Sequence, residues 1–78
     1  MPVGAKIRQG DLEKVLSSLD LDEGVRIESA GKKMFVNKSA SGVFVVQVGN
    51  EFYYLDSTSQ VAKLVDRVFG KKYEAYAY

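Results

Sequence analysis

Residues 42–70 constrain the fold of this chain more than any other stretch. They read Gly-Val-Phe-Val-Val-Gln-Val-Gly-Asn-Glu-Phe-Tyr-Tyr-Leu-Asp-Ser-Thr-Ser-Gln-Val-Ala-Lys-Leu-Val-Asp-Arg-Val-Phe-Gly. The β-branched content of 43–48 favours a strand over a helix. Gly49-Asn50 is a two-residue hairpin signal, and 51–56 forms the returning strand. Ser57-Thr58-Ser59-Gln60 fits a capping box, with Ser57 as cap and Gln60 reaching back. Val61, Leu64, Val65 and Val68 then recur at helical spacing, a stripe widened by Ala62 and Phe69. Gly70 suits the position after the last helical turn, and Lys71 and Lys72 suit the negative end of the helix dipole. The stretch therefore predicts a β-hairpin running straight into an amphipathic helix.

Upstream, Leu12, Val15, Leu16 and Leu19 fall at i, i+3, i+4 and i+7, one stripe of a helix within 11–20. Gly10 or Asp11 can cap it. Asp20-Leu21-Asp22-Glu23-Gly24 ends it, because carboxylates are disfavoured at a helix C-terminus. Residues 25–29 alternate apolar and polar, Ala30-Gly31 is a turn, and 32–38 is the next strand. Residues 39–42 form a loop of small residues. Residues 1–9 show no periodicity and read as a loose arm. The tail 71–78 reads as an extra edge strand or a disordered segment.

The expected fold class is α+β: helix, four-stranded antiparallel meander over 24–56, helix over 57–69, both helices on one face of the sheet. Seventy-eight residues make one domain, 1–78. A core of this size supplies few kcal/mol net, so homodimers or higher homo-oligomers are expected.

Opposed residues of an antiparallel pair share a face and have a constant sum of numbers. The turn at Gly49-Asn50 opposes Val46 with Tyr53 and Phe44 with Leu55. The turn at Ala30-Gly31 opposes Ile27 with Met34 and Val25 with Val36. A three-residue loop at 39–41 would oppose Met34 with Val46 and Val36 with Phe44. One face is then apolar. The other carries Arg26, Phe35, Val45 and Tyr54, with Glu28, Lys33, Gln47 and Phe52 beside them. An antiparallel sheet normally shows water a polar face, so three aromatics there point to a docking surface.

Composition removes much chemistry. The chain has no Cys and no His, so disulfides, thiolate metal sites and the commonest general base are absent. Its serines are cap or loop types with no spacing that sets one beside a base. The expectation is a protein that is not an enzyme and takes no cofactor or metal. No run of residues approaches bilayer-spanning length, and the N-terminus has no signal-peptide core, so a cytoplasmic protein without membrane contact is expected. Net charge is +1, which excludes a globally basic protein. It is unevenly spread: residues 11–28 hold six acids and two bases, whereas residues 29–78 hold seven bases and four acids.

Aromatic platforms with cationic flanks bind single strands. Phe35, Phe52 and Tyr54 would stack bases, with Val45 and Gln47 between them. Arg26, Lys33 and Lys38 would contact phosphates, Lys32 beside them, and Lys71, Lys72 and Tyr73 could extend the groove. The competing reading makes this face a homo-oligomer or partner interface. Other motifs are weaker. Six residues separate Gly24 from Gly31 where a phosphate loop has four, so the segment is a turn. Asp20, Asp22 and Glu23 lack the partners of a Ca²⁺ loop. Lys63 and Arg67 read as a solubilising helix face.

The strand order over 25–70, with Phe35, Lys38, Phe52 and Tyr54 interleaving aromatics and bases, resembles the archaeal Thermo-DBP-related single-strand DNA-binding proteins. In outline it is also similar to the dimeric PC-type transcriptional coactivators, whose curved sheet holds single strands. The first resemblance implies an oligomer that binds single-stranded DNA or RNA with little sequence preference.

Overall fold

A computed structural model describes residues 4–21 and 23–78. In chain order its elements are β1 (Lys6–Ile7), a 3-10 turn (Gln9–Asp11), α1 (Leu12–Ser17), β2 (Gly24–Ser29), β3 (Lys32–Lys38), β4 (Phe44–Val48), β5 (Glu51–Leu55), α2 (Thr58–Phe69) and β6 (Glu74–Ala77). The class is α+β as expected, but the sheet has six strands in the order β1-β6-β2-β3-β4-β5. Every neighbouring pair is antiparallel. The four-strand meander is present as one side of this larger sheet.

Both chain ends correct the reading of a loose arm and an edge tail. Glu74–Ala77 lies inside the sheet, between β1 and β2, with Ile27 opposite Ala75 and Val25 opposite Ala77. Lys6 and Ile7 then add to its free side, and Ile7 is buried. Backbone bonds continue past the strands: Gly4 N–H donates to the Ala77 carbonyl at 2.6 Å, and Ala77 N–H donates to the Ala5 carbonyl at 2.8 Å. Paired backbone groups hold these ends where apolar periodicity is too short to show. Of the proposed arm, residues 1–3 lie outside the described residues.

Two of three hairpin registers match the expected ones. Ser29 opposes Lys32 across a turn in which Ala30 and Gly31 both have positive φ, 50° and 84°. That is the type I′ geometry whose twist suits a hairpin. Val48 opposes Glu51 across Gly49 (φ 59°), with Asn50 at negative φ, which places Gly at the first central position of a type II′ turn. The β3–β4 register differs by two residues. Met34 pairs with Val48 and Val36 with Val46, because the loop spans five residues, not three. Ser39 N–H bonds the Val43 carbonyl and Gly42 N–H bonds the Ser39 carbonyl, with Gly42 at φ 86°. The expected opposition of Phe44 to Val36 becomes one of Phe44 to Lys38.

The core lies on one face. Val25, Ile27, Met34, Val36, Phe44, Val46 and the two β6 alanines meet Leu12, Leu16 and Leu19 of the α1 segment and Val61, Leu64 and Val65 of α2 in a single cluster. Val15, Val68 and Phe69 pack on its rim. The α1 helix is shorter than the expected 11–20, and Leu19 reaches the core from beyond its end. The cap of α2 forms as expected on one side: Gln60 N–H donates to Ser57 Oγ at 3.2 Å. On the other, the Gln60 amide oxygen accepts from Asp56 N–H, one residue earlier than the capping-box pattern. Both helices cover the same face of the sheet, so the opposite face carries no helix.

Candidate nucleic-acid interface

The register sorts the bare face into three cross-strand rows. The central row is Lys6, Tyr76, Arg26, Phe35, Gln47 and Phe52. On one side lie Glu74, Glu28 and Lys33, and on the other Gly24, Asn37, Val45 and Tyr54. The sequence places Arg26, Lys33, Phe35, Val45, Gln47, Phe52 and Tyr54 here, and the structure brings all seven together. The two-residue slip of β4 changes only which of them are opposite: Phe35 meets Gln47 and Asn37 meets Val45.

Lys38 does not join them. It alternates with Met34 and Val36, so it belongs to the helix-covered face, where its ammonium lies 5.9 Å from the Phe44 ring centroid. Lys32 has the same parity and also leaves the aromatic face. Tyr73 packs against Phe69 with centroids 6.3 Å apart, and burial pushes its hydroxyl pKa up. It extends the rim of the core, not the face.

Tyr76, Tyr78 and Lys6 were missed and belong to the site. The signal for the two tyrosines is the alternation Tyr73-Glu74-Ala75-Tyr76-Ala77-Tyr78, which sends Ala75 and Ala77 into the core and Tyr76 to the other face, whereas Lys6 joins only through its pairing with Tyr76. Tyr78 lies beyond the strand but crosses the face. Its ring meets Phe35 edge-on at 5.8 Å, and its hydroxyl donates to Asn37 Oδ1 at 2.6 Å. Phe35 is consequently half-buried. Phe52 and Tyr54 remain open, 55 % and 69 % exposed.

The charges are largely committed. The Arg26 guanidinium lies 5.0 Å from the Tyr76 ring centroid. Its Nε sits 2.7 Å from a Glu28 carboxylate oxygen, an ion pair outside hydrogen-bond alignment. Glu28 directly opposes Glu74, a like-charge pair that would be unfavourable uncompensated. Arg26 balances one carboxylate, and Lys6 balances the other at 3.3 Å. Tyr76 donates to Glu74 at 3.0 Å, which holds the tyrosine pKa above its usual value and the carboxyl below its own. Lys33 is the cation of this face without an ion pair among the described residues.

Among the described residues no group of His, Cys, Asp and Glu could hold a metal ion, and no helix is long and apolar enough to cross a membrane. Asp22 of the acidic turn lies outside the described residues. No protein-family model, curated protein or solved structure matches the chain.

Proposed function

We propose that the chain binds single-stranded nucleic acid, DNA or RNA, on the helix-free face of its sheet. The observation that carries this reading is the open pair Phe52 and Tyr54 on a face that neither helix covers. They are two residues apart on one strand, so their rings project about 7 Å apart, roughly two base-stacking steps. Each stacked base is worth about 1–3 kcal/mol with little dependence on its identity. Gln47 and Asn37 offer amide groups between the aromatics, and Lys33 offers a phosphate contact. The resemblance to Thermo-DBP-related proteins points to the same chemistry.

With Arg26 committed to Glu28 and Tyr76, stacking outweighs charge. Fluorescence anisotropy of a labelled oligonucleotide should show binding that weakens only gently with salt. One to three phosphate contacts give a log–log slope between about −0.7 and −2. No binding by the folded protein at low salt would sink the reading.

A second reading has its own support. Phe52 and Tyr54 lie on β5, an open edge of the sheet. An open edge strand bearing exposed aromatics is a template for another chain, and a second copy docking there would make the same face a homo-oligomer interface. Light scattering on the wild-type chain and its face variants separates the two.

A further inference from the structure

A second candidate site lies at the sheet end that carries both tight hairpin turns. A cleft of about 670 Å³ opens between Gly31, Gly49 and the last turns of α2. That is within the range of small-molecule sites. Its apolar wall is Phe35, Val48, Val68 and the ring of Tyr53. Its cations are Lys32, Lys33 and Arg67, none of them ion-paired among the described residues. Consecutive strand residues leave on opposite faces, so Lys32 and Lys33 flank the gap from two sides, while Arg67 comes from the helix. The lining carboxylate, Glu51, accepts the Tyr53 hydroxyl at 2.9 Å. Arg67 lies close enough to Tyr53 for its charge to act on that phenol.

Three unpaired cations against one hydrogen-bonded carboxylate favour an anion. An aromatic and aliphatic wall favours a flat apolar body on the same molecule. A bare nucleoside would leave the cations unused, and inorganic phosphate would leave the wall unused. We propose that this cleft binds a phosphomonoester nucleotide, its base against Val48, Val68 and the Tyr53 ring on the helix side and its phosphate among Lys32, Lys33 and Arg67. Arg67 supplies the planar fork that grips phosphate in two places, and the lysines add point charge. The phosphate carries close to two negative charges at neutral pH and loses one near pH 6. The site shares Lys33, Phe35 and Gln47 with the strand-binding face but does not depend on that reading.

The test is an amide NMR titration of the full isotope-labelled chain with adenosine 5′-monophosphate, adenosine and inorganic phosphate. The monophosphate should saturate shifts at Gly31, Val48 and Gly49 and bind about tenfold or more tighter than either fragment. Its affinity should fall below about pH 6. Arg67→Gln and Lys33→Gln should each weaken it several-fold in a folded protein, and Lys14→Gln, an exposed cation outside the cleft, should not change it. Equal affinity for adenosine and its monophosphate would overturn the proposal. So would wild-type affinity in both cation variants. Displacement by a 5′-phosphorylated oligonucleotide but not by its 5′-hydroxyl twin supports the site and assigns the phosphate to a strand end. Displacement by neither supports the site and assigns it to a free nucleotide. Oligonucleotide binding without mononucleotide binding removes this proposal and leaves the strand-binding reading intact, and the reverse result does the opposite.

Discussion

The Tyr78 hydroxyl donates to Asn37 Oδ1 at 2.6 Å, tying Tyr78 to the C-terminal end of β3. Between them lies Gly24, whose N–H bonds the Tyr78 carbonyl and whose missing side chain leaves room for the tyrosine ring. A Cβ at Gly24 would stand 2.8 Å from both Asn37 Nδ2 and Tyr78 Cζ. Gly24→Ala should therefore cost about 1–3 kcal/mol in urea unfolding, as overpacking does. In a Tyr78→Ala background the same change should cost less, because one of the two clashes is gone. Equal cost in both backgrounds would mean that the ring is not the obstacle.

The C-terminal strand should be indispensable. Its backbone bonds β1 on one side and β2 on the other, and Ala75 and Ala77 are buried. Removing residues 74–78 strips β2 of a partner and leaves Ile7 with nothing to pair beside. Near-UV circular dichroism and urea titration should show loss of cooperative unfolding. A truncated chain that still unfolds cooperatively, with a midpoint near the wild type, would contradict the interior placement of β6.

The β2–β3 turn holds a correctable strain. Ala30 is the one non-glycine residue at positive φ among the described residues, at 50°. That conformation costs an L-residue with a Cβ roughly 1–2 kcal/mol, offset in part by the added freedom glycine gives the unfolded chain. Ala30→Gly should raise stability by about 0.5–1 kcal/mol in thermal or urea unfolding. A loss of stability would show that the turn relaxes away from type I′ in solution.

These positions also show what was legible in the sequence. Turn chemistry and alternation give the β2–β3 and β4–β5 registers residue by residue. The β3–β4 register does not follow, because a slip of two residues leaves every side chain on its original face. Agreement among the expected faces is therefore blind to the five-residue loop, and Lys38 shows a separate limit: grouping by composition puts it with the aromatics, whereas its parity with Met34 and Val36 puts it on the other face. Seven of the eight proposed site residues share a face because face membership depends only on parity. The tail reads as an edge strand or a disordered segment, not an interior strand, because its core positions are alanines, which strands disfavour. Its place between β1 and β2 is set by pairing across the whole chain.

The Glu74–Tyr76 pair gives stability a signature on both sides of neutrality. Hydrogen bonding to Tyr76, and then the Lys6 interaction, hold the Glu74 carboxyl below its ordinary value. Its contribution is complete above the unfolded carboxylate range and is lost as pH falls through the lowered native value. Tyr76 is raised, chiefly by its bond to Glu74. Its contribution is complete below the unfolded tyrosine pKa, about 10, and is lost as pH rises through the raised native value. Tyr76→Phe removes the donor, so thermal unfolding should show a shallower acid limb and a shallower alkaline limb than the wild type. Unchanged limbs would mean the pair is broken in solution.

The decisive variant for the bare face is Phe52→Ala with Tyr54→Ala. Both rings are largely exposed, so their loss removes cross-strand contacts with Gln47 and Val45 worth about 0.2–1 kcal/mol each, and the fold should persist. If each ring stacks one base, the pair contributes at least about 2 kcal/mol, and oligonucleotide affinity should drop about thirtyfold or more. Because no charge changes, the salt slope should stay where it was. Lys33→Gln should do the reverse, lowering affinity modestly and making the slope shallower by about 0.7. Multi-angle light scattering runs beside the anisotropy. An unchanged mass with lost affinity supports the strand-binding face. A wild-type oligomer that becomes monomeric in the double variant makes the rings a subunit interface first, with β5 as the edge that a second copy covers.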